Sequence, residues 1–121
     1  MMEQTYPHKP QAGAVKLTML LGGIVFLLMM VFGLVLRAAQ GGLFELDPAI
    51  FYQIMTAHGA GMVGTAALTG AAIMWYFVGR YVKLNAALYW TFLVLFLLGV
   101  ALILGSIFLG EFGAGWTFLF P

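Results

Sequence analysis

The chain has no cysteine and few charges, and each of these shortages excludes a class of protein. Without cysteine there are no disulfides, no thiolate metal sites and no cysteine-attached heme. Charged residues make up 7% of the 121 residues, and the net charge is +1. This excludes a basic surface for nucleic acid. It also leaves too few charges for a soluble domain, in which about 25% of residues are charged.

Apolar sequence takes the place of the missing charges. Hydrophobic residues make up 64% of the chain, and they form three long runs, at about 17–36, 49–79 and 86–109. A helix of about 20 residues spans the ~30 Å hydrocarbon core of a bilayer. The sequence therefore predicts an all-α integral membrane protein, with three transmembrane helices in one domain over residues 1–121. Its polar start lacks the features of a cleavable signal peptide.

Capping residues and charges bound these helices and orient them. Asp47-Pro48 is typical of an N-cap followed by a first-turn proline. With three helices, one side of the membrane receives the cations Lys9, Lys16, Arg80 and Lys83. The other side receives Arg37, Glu45, Asp47 and Glu111. By the positive-inside rule, we expect a cytoplasmic N-terminus and a tail on the outer side.

The second run differs from the others because it is rich in small residues. Ala57, Gly61 and Thr65 recur every four residues and form one ridge on a helix. In lipid, small residues at this spacing allow another backbone or a flat ligand to approach closely. Ordinary helix packing explains the same pattern, so the ridge alone does not decide between a packing surface and a ligand surface.

His58 is the one ionisable group inside the second run. It lies about ten residues beyond Asp47, or roughly 15 Å along the helix axis, which places it within the outer half of the membrane. A polar side chain at that depth is costly without a partner and indicates a functional site. A neutral imidazole binds iron well. The alternative is an interhelical hydrogen bond to a carbonyl or to Thr56, and the residues alone leave both open.

The segment 52–59, Tyr-Gln-Ile-Met-Thr-Ala-His-Gly, resembles the start of the second helix of subunit I in the heme–copper oxidase superfamily. In that family the histidine is an axial ligand of the low-spin heme. The resemblance therefore implies that His58 binds heme iron, and the small residues of the ridge, Gly61 among them, then give the heme room. It also implies a multi-pass protein of the prokaryotic cytoplasmic membrane.

Three further segments match the family in the same order. Residues 6–10 resemble its His-Lys segment before the first helix, and 113–121 resemble its Gly-x-Gly-Trp-Thr segment after the third. Residues 36–39, Leu-Arg-Ala-Ala, resemble a stretch whose arginine hydrogen-bonds a heme substituent in some members. The resemblance thus gives Arg37 a heme contact, although a charge that caps the outer end of the first helix explains it equally well.

The chain also departs from the family pattern. Some members supply a serine hydroxyl one turn before the arginine, as an acceptor for the second N–H of the ligating histidine. Here that place is Gly33, so a backbone carbonyl or a water would have to accept the bond. The family's copper ligands and the second ligand of the low-spin heme lie on later helices. With two histidines, the chain is not expected to be catalytic alone.

Three functions follow from these observations. In the first, the chain is part of a split subunit I in a respiratory terminal oxidase or nitric oxide reductase. A second membrane chain then holds the remaining helices, and the low-spin heme, of b or a type, carries electrons to the catalytic centre in that chain. In the second, two copies form a b-type cytochrome with His58 of each copy on one heme. In the third, the chain is a structural subunit without a cofactor.

Overall fold

A computed structural model describes residues 11–113, and they form three α-helices in series. The helices are α1 (Ala12–Gln40), α2 (Pro48–Val78) and α3 (Ala86–Phe108). Each is long and apolar enough to cross a membrane, which confirms the predicted all-helical fold with three spans. The cytoplasmic N-terminus and the single domain stay predictions. At 29 residues, α1 is about 43 Å long and exceeds the hydrocarbon core, so it tilts or extends into the headgroups.

Side-chain caps begin α2 and α3. The Asp47 carboxylate accepts a hydrogen bond from the backbone N–H of Ala49 at 2.8 Å, and Pro48 occupies the first turn, as the sequence predicts. The amide oxygen of Asn85 accepts a bond from the N–H of Ala87 at 2.9 Å in the same way. Each cap satisfies one of the donors that the first turn of a helix leaves free, and so fixes where the helix starts.

A glycine turn ends α1. Gly42 adopts a positive φ of 73°, which is easily reached only without a Cβ atom. The N–H of Leu43 donates to the carbonyl of Ala38 at 3.1 Å, and the N–H of Gly42 donates to the carbonyl of Ala39 at 3.1 Å. This pair of bonds is a Schellman motif, which satisfies the last carbonyls and redirects the chain toward α2.

The three helices meet at the end of the bundle where α1 starts. Val15 from α1, Ala72 from α2 and Tyr89 from α3 form a buried cluster there. The Tyr89 hydroxyl donates to the Thr18 hydroxyl at 2.6 Å, which in turn donates to the carbonyl of Ala14 at 3.0 Å. Neighbouring helices are therefore antiparallel. Large apolar side chains remain exposed along all three helices, as expected of a surface that faces lipid.

The residues just beyond α3 stay at the opposite end of the bundle, where α2 begins. Gly113 packs against the first turns of α2, where a Cβ atom on it would lie 3.0 Å from the backbone nitrogen of Gln53. Two of the segments that carry the family resemblance, 6–10 with His8 and most of 113–121, lie outside the described residues.

Candidate functional site

Small residues on facing helices bring α1 and α2 close together. A Cβ atom on Gly61 would lie 2.8 Å from Cγ of Met29, so the buried Met29 side chain fills the space over this glycine. Nearer the other end, Gly22 of α1 leaves room for the methyl group of Thr69. Gly61, one member of the ridge on α2, thus takes part in helix packing.

His58 contacts α1 at the level of the Met29–Gly61 contact. Its Nδ1 atom lies 2.7 Å from the backbone carbonyl oxygen of Met29. A carbonyl can only accept, so the bond requires the proton on Nδ1, and the neutral imidazole then carries its free lone pair on Nε2. His58 is half-buried, and among residues 11–113 its Nε2 atom has no hydrogen-bond partner.

Gly33 lies directly against the imidazole ring. A Cβ atom on it would be 2.9 Å from Cε1 of His58 and 3.4 Å from Nε2. This is the place at which some family members carry a serine. Here the carbonyl of Met29, one turn earlier, accepts the bond instead. The backbone acceptor that the sequence requires is therefore present.

The two explanations that the sequence leaves open for His58 are compatible. The hydrogen bond to a carbonyl of another helix is present and occupies Nδ1. Thr56, the other candidate partner, donates to the carbonyl of Tyr52 within α2 at 2.7 Å. Because an imidazole has two nitrogens, the bond at Nδ1 leaves Nε2 available as a ligand.

Arg37 and Gly61 do not join His58 in one pocket. Arg37 is exposed in the last turn of α1, where its Nη1 donates to Oε1 of Gln40 at 3.1 Å. Gly61 lines an apolar groove of about 270 Å³ between the three helices, together with Ala57 and Met29, and His58 is not part of its lining. Drug-sized ligands occupy pockets of about 300–1,000 Å³. Heme contacts of Arg37 and Gly61 therefore stay predictions.

Nearly the whole length of the chain matches one protein family. Residues 13–121 match the family model described as cytochrome C and quinol oxidase polypeptide I. The chain belongs to this family. It is therefore a membrane protein similar to subunit I of the heme–copper oxidases. This agrees with the resemblance of residues 52–59. No curated protein and no solved structure matches this chain.

The donor set of this polypeptide I chain suits one kind of metal group. Among residues 11–113 there is no group of three or more His, Cys, Asp or Glu that could hold a metal ion by itself. A heme needs only axial ligands from the protein, because the porphyrin nitrogens supply the rest. One imidazole with its proton held on Nδ1 and its lone pair free on Nε2 fits an axial position.

The role of Met29 at this site could not be predicted from the sequence. Its contribution to His58 is a backbone oxygen, which every residue possesses, so no side-chain pattern marks it. The one indication in the sequence is indirect. The missing serine at Gly33 shows that another acceptor is required, but not which carbonyl of α1 supplies it.

Proposed function

We propose that this chain binds a low-spin heme through Nε2 of His58 and works as the electron-transfer part of a heme–copper oxidase subunit I. The observation that carries the proposal is the hydrogen bond of 2.7 Å from Nδ1 of His58 to the Met29 carbonyl. It sets the tautomer that an axial ligand needs, inside the span Pro48–Val78. The match to the polypeptide I family supports the same role.

The chain's own residues hold and orient the ligand. The Met29 carbonyl keeps the proton on Nδ1, and hydrogen bonding at that atom makes Nε2 a more basic donor. Apolar side chains line the groove beside the α1–α2 contact, and electrostatic interactions are stronger in such surroundings than in water. When bound, a heme supplies one-electron redox chemistry.

A second protein ligand to the heme would come, in this proposal, from a second membrane chain that holds the remaining helices of subunit I. The sequence contains one other histidine, His8, and it precedes the first span. Membership of the polypeptide I family supports a partner that holds the copper site and the high-spin heme. The chain would then be part of a respiratory complex rather than an enzyme by itself.

Spectroscopy of histidine variants tests the proposal. The tagged chain is isolated from the cells that produce it naturally, and separately after expression alone in a bacterial membrane. Reduced-minus-oxidised spectra and heme per chain are measured for the wild type, for His58→Ala and for the control His8→Ala. We expect low-spin bands in the native preparation, together with a larger histidine-rich chain. We expect these bands to be lost in His58→Ala and kept in His8→Ala.

Other results would overturn particular parts of the proposal. Heme at one per two chains in the protein expressed alone would replace the split subunit with a homodimeric cytochrome. Bands that survive His58→Ala would remove this residue as the ligand. If no heme is present in either preparation, the structural subunit without cofactor is the correct function.

A further inference from the structure

The contact between α1 and α2 at His58 is reciprocal. His58 of α2 rests on Gly33 of α1, and Met29 of α1 rests on Gly61 of α2. In each case a side chain of one helix occupies the space that a missing Cβ leaves on the other. The hydrogen bond from Nδ1 to the Met29 carbonyl lies between these two contacts. One glycine on each helix therefore sets the separation at which this bond forms.

We propose that Gly33 and Gly61 are positioning residues that hold the imidazole of His58 with its proton on Nδ1 and its Nε2 atom free for iron. The role of Gly33 is direct, because a Cβ atom there would come within 2.9 Å of the ring. That approach is closer than van der Waals contact, and the ring is stiff, so the imidazole would have to move away from α1.

Gly61 acts through the methionine. A Cβ atom on Gly61 would lie 2.8 Å from Cγ and 3.2 Å from Cε of Met29. Met29 is buried and borders the apolar groove between the helices, so its side chain must shift, either into the groove or together with α1. In this proposal α1 moves outward with Met29, which lengthens the bond between the Met29 carbonyl and His58.

The bond matters because of the two tautomers of neutral histidine. With the proton on Nε2 the lone pair lies on Nδ1, which faces the backbone of α1, and iron has no access to it. With the proton on Nδ1 the lone pair lies on Nε2. A carbonyl acceptor stabilises this second form. The two glycines thus select the tautomer in which the chain can act as a ligand, and this inference rests on the proposed heme function.

Nitrogen-15 NMR of the heme-free chain measures the tautomer without any cofactor. The protein, labelled in its histidines, is studied in detergent, and the two histidine signals are assigned with His8→Ala. We expect the wild-type His58 to carry its proton on Nδ1. A wild-type proton on Nε2 would overturn the inference without any variant of the glycines, and so independently of whether those variants fold.

Matched glycine variants test the two positions. Gly33→Ala is compared with Gly23→Ala on α1, and Gly61→Ala with Gly70→Ala on α2, since a Cβ atom on either control glycine meets nothing within 4 Å. We expect Gly33→Ala and Gly61→Ala to lose the Nδ1 proton and the controls to keep it. Gly33→Ser adds the same Cβ atom, 3.5 Å from Nδ1, together with a hydroxyl that can accept a hydrogen bond, so we expect it to restore the wild-type tautomer. Equal behaviour of serine and alanine would contradict this.

The heme-loaded complex separates the inference from the proposed function. There, Gly33→Ala and Gly61→Ala should raise the midpoint potential of the low-spin heme, because a weaker bond at Nδ1 makes the ligand less basic. If heme is lost in His58→Ala while the glycine variants leave potential and tautomer unchanged, only the positioning role fails. If the tautomer responds as expected but His58→Ala keeps its heme, only the proposed function fails.

Discussion

Two hydroxyl groups buried between α1 and α3, those of Thr18 and Tyr89, have specific hydrogen-bond partners. Tyr89 is 1% exposed and Thr18 is fully buried, and their hydroxyls form a chain that ends on the carbonyl of Ala14. An unpaired hydroxyl at this depth would be costly. Because Thr18 can donate to the backbone of its own helix, it can also accept from Tyr89. The bond is therefore the polar link between the first turns of α1 and α3.

Removal of one hydroxyl tests this link. We expect Tyr89→Phe to lower the free energy of unfolding by about 0.6 kcal/mol, and by no more than about 1.7 kcal/mol, which is the range measured for hydrogen bonds within membranes. Unfolding in detergent is the measurement, with Thr18→Val and the double variant completing a cycle. Tyr52→Phe is the control, because the Tyr52 hydroxyl makes no hydrogen bond within residues 11–113. Zero coupling between positions 18 and 89 would contradict the role of the bond.

Single residues are predictable when their chemistry depends on local sequence. The cap at Asp47 and the proline after it could be predicted, because both act within one turn of the chain. The position of His58 inside a span could be predicted from the apolar run around it. The acceptor of its proton could not, since it is a backbone atom 29 residues away whose position depends on how two helices pack.

At the scale of the helices, α1 and α2 pack closely because glycines on α1 make room for side chains of α2. Gly22 is buried against the methyl group of Thr69, whereas its neighbour Gly23 is exposed with nothing within 4 Å of a Cβ atom. The Thr69 hydroxyl donates to the carbonyl of Thr65 at 2.8 Å, which fixes the rotamer. The methyl group cannot turn away without the loss of that bond.

This pair of adjacent glycines gives a test of the packing. We expect Gly22→Ala to destabilise the protein by about 1–3 kcal/mol, the usual cost of an overpacked contact. Gly23→Ala should change stability by less than about 0.5 kcal/mol, because it adds the same group on the open side of the same helix. Both are measured by unfolding in detergent. Equal effects of the two variants would show that α1 does not pack on α2 through this face.

The helices themselves were the most predictable elements. Long apolar runs determine them, and the three observed helices agree with the three predicted spans. The ends of α1 were not predicted, because the helix continues past Lys16 and Arg37. Long side chains at such positions extend toward the headgroups and do not have to end the helix. The length of an apolar run therefore indicates the part of the helix that lies in the membrane core, and not the length of the whole helix.

At the scale of the whole molecule, three of the four cations within residues 11–113 lie at one end, and Arg37 lies at the other. Lys16 at the start of α1 shares an end of the bundle with Arg80 and Lys83 in the α2–α3 connection, since α1, α2 and α3 meet there through Val15, Ala72 and Tyr89. Glu45 and Asp47 lie in the connection at the opposite end. This separation of charge is the basis for the predicted cytoplasmic N-terminus.

Cysteine labelling tests the orientation without background, because the chain has no cysteine of its own. Leu43→Cys and Val82→Cys place thiols at exposed sites in the two connections and leave every charge intact. We expect a membrane-impermeant maleimide to label Leu43→Cys in intact cells and Val82→Cys only after permeabilisation. The reverse pattern would show that the N-terminus lies outside.

The backbone acceptor at Met29 also changes how the site responds to mutation. A serine acceptor is lost with almost any amino-acid substitution at its position, whereas substitution of Met29 by any amino acid leaves a carbonyl in place. Sensitivity to mutation is therefore transferred from the acceptor to Gly33 and Gly61, where every substitution adds atoms to occupied space. In this chain, evolution can keep the hydrogen bond to the histidine only by keeping two positions free of a side chain, rather than by keeping one particular side chain.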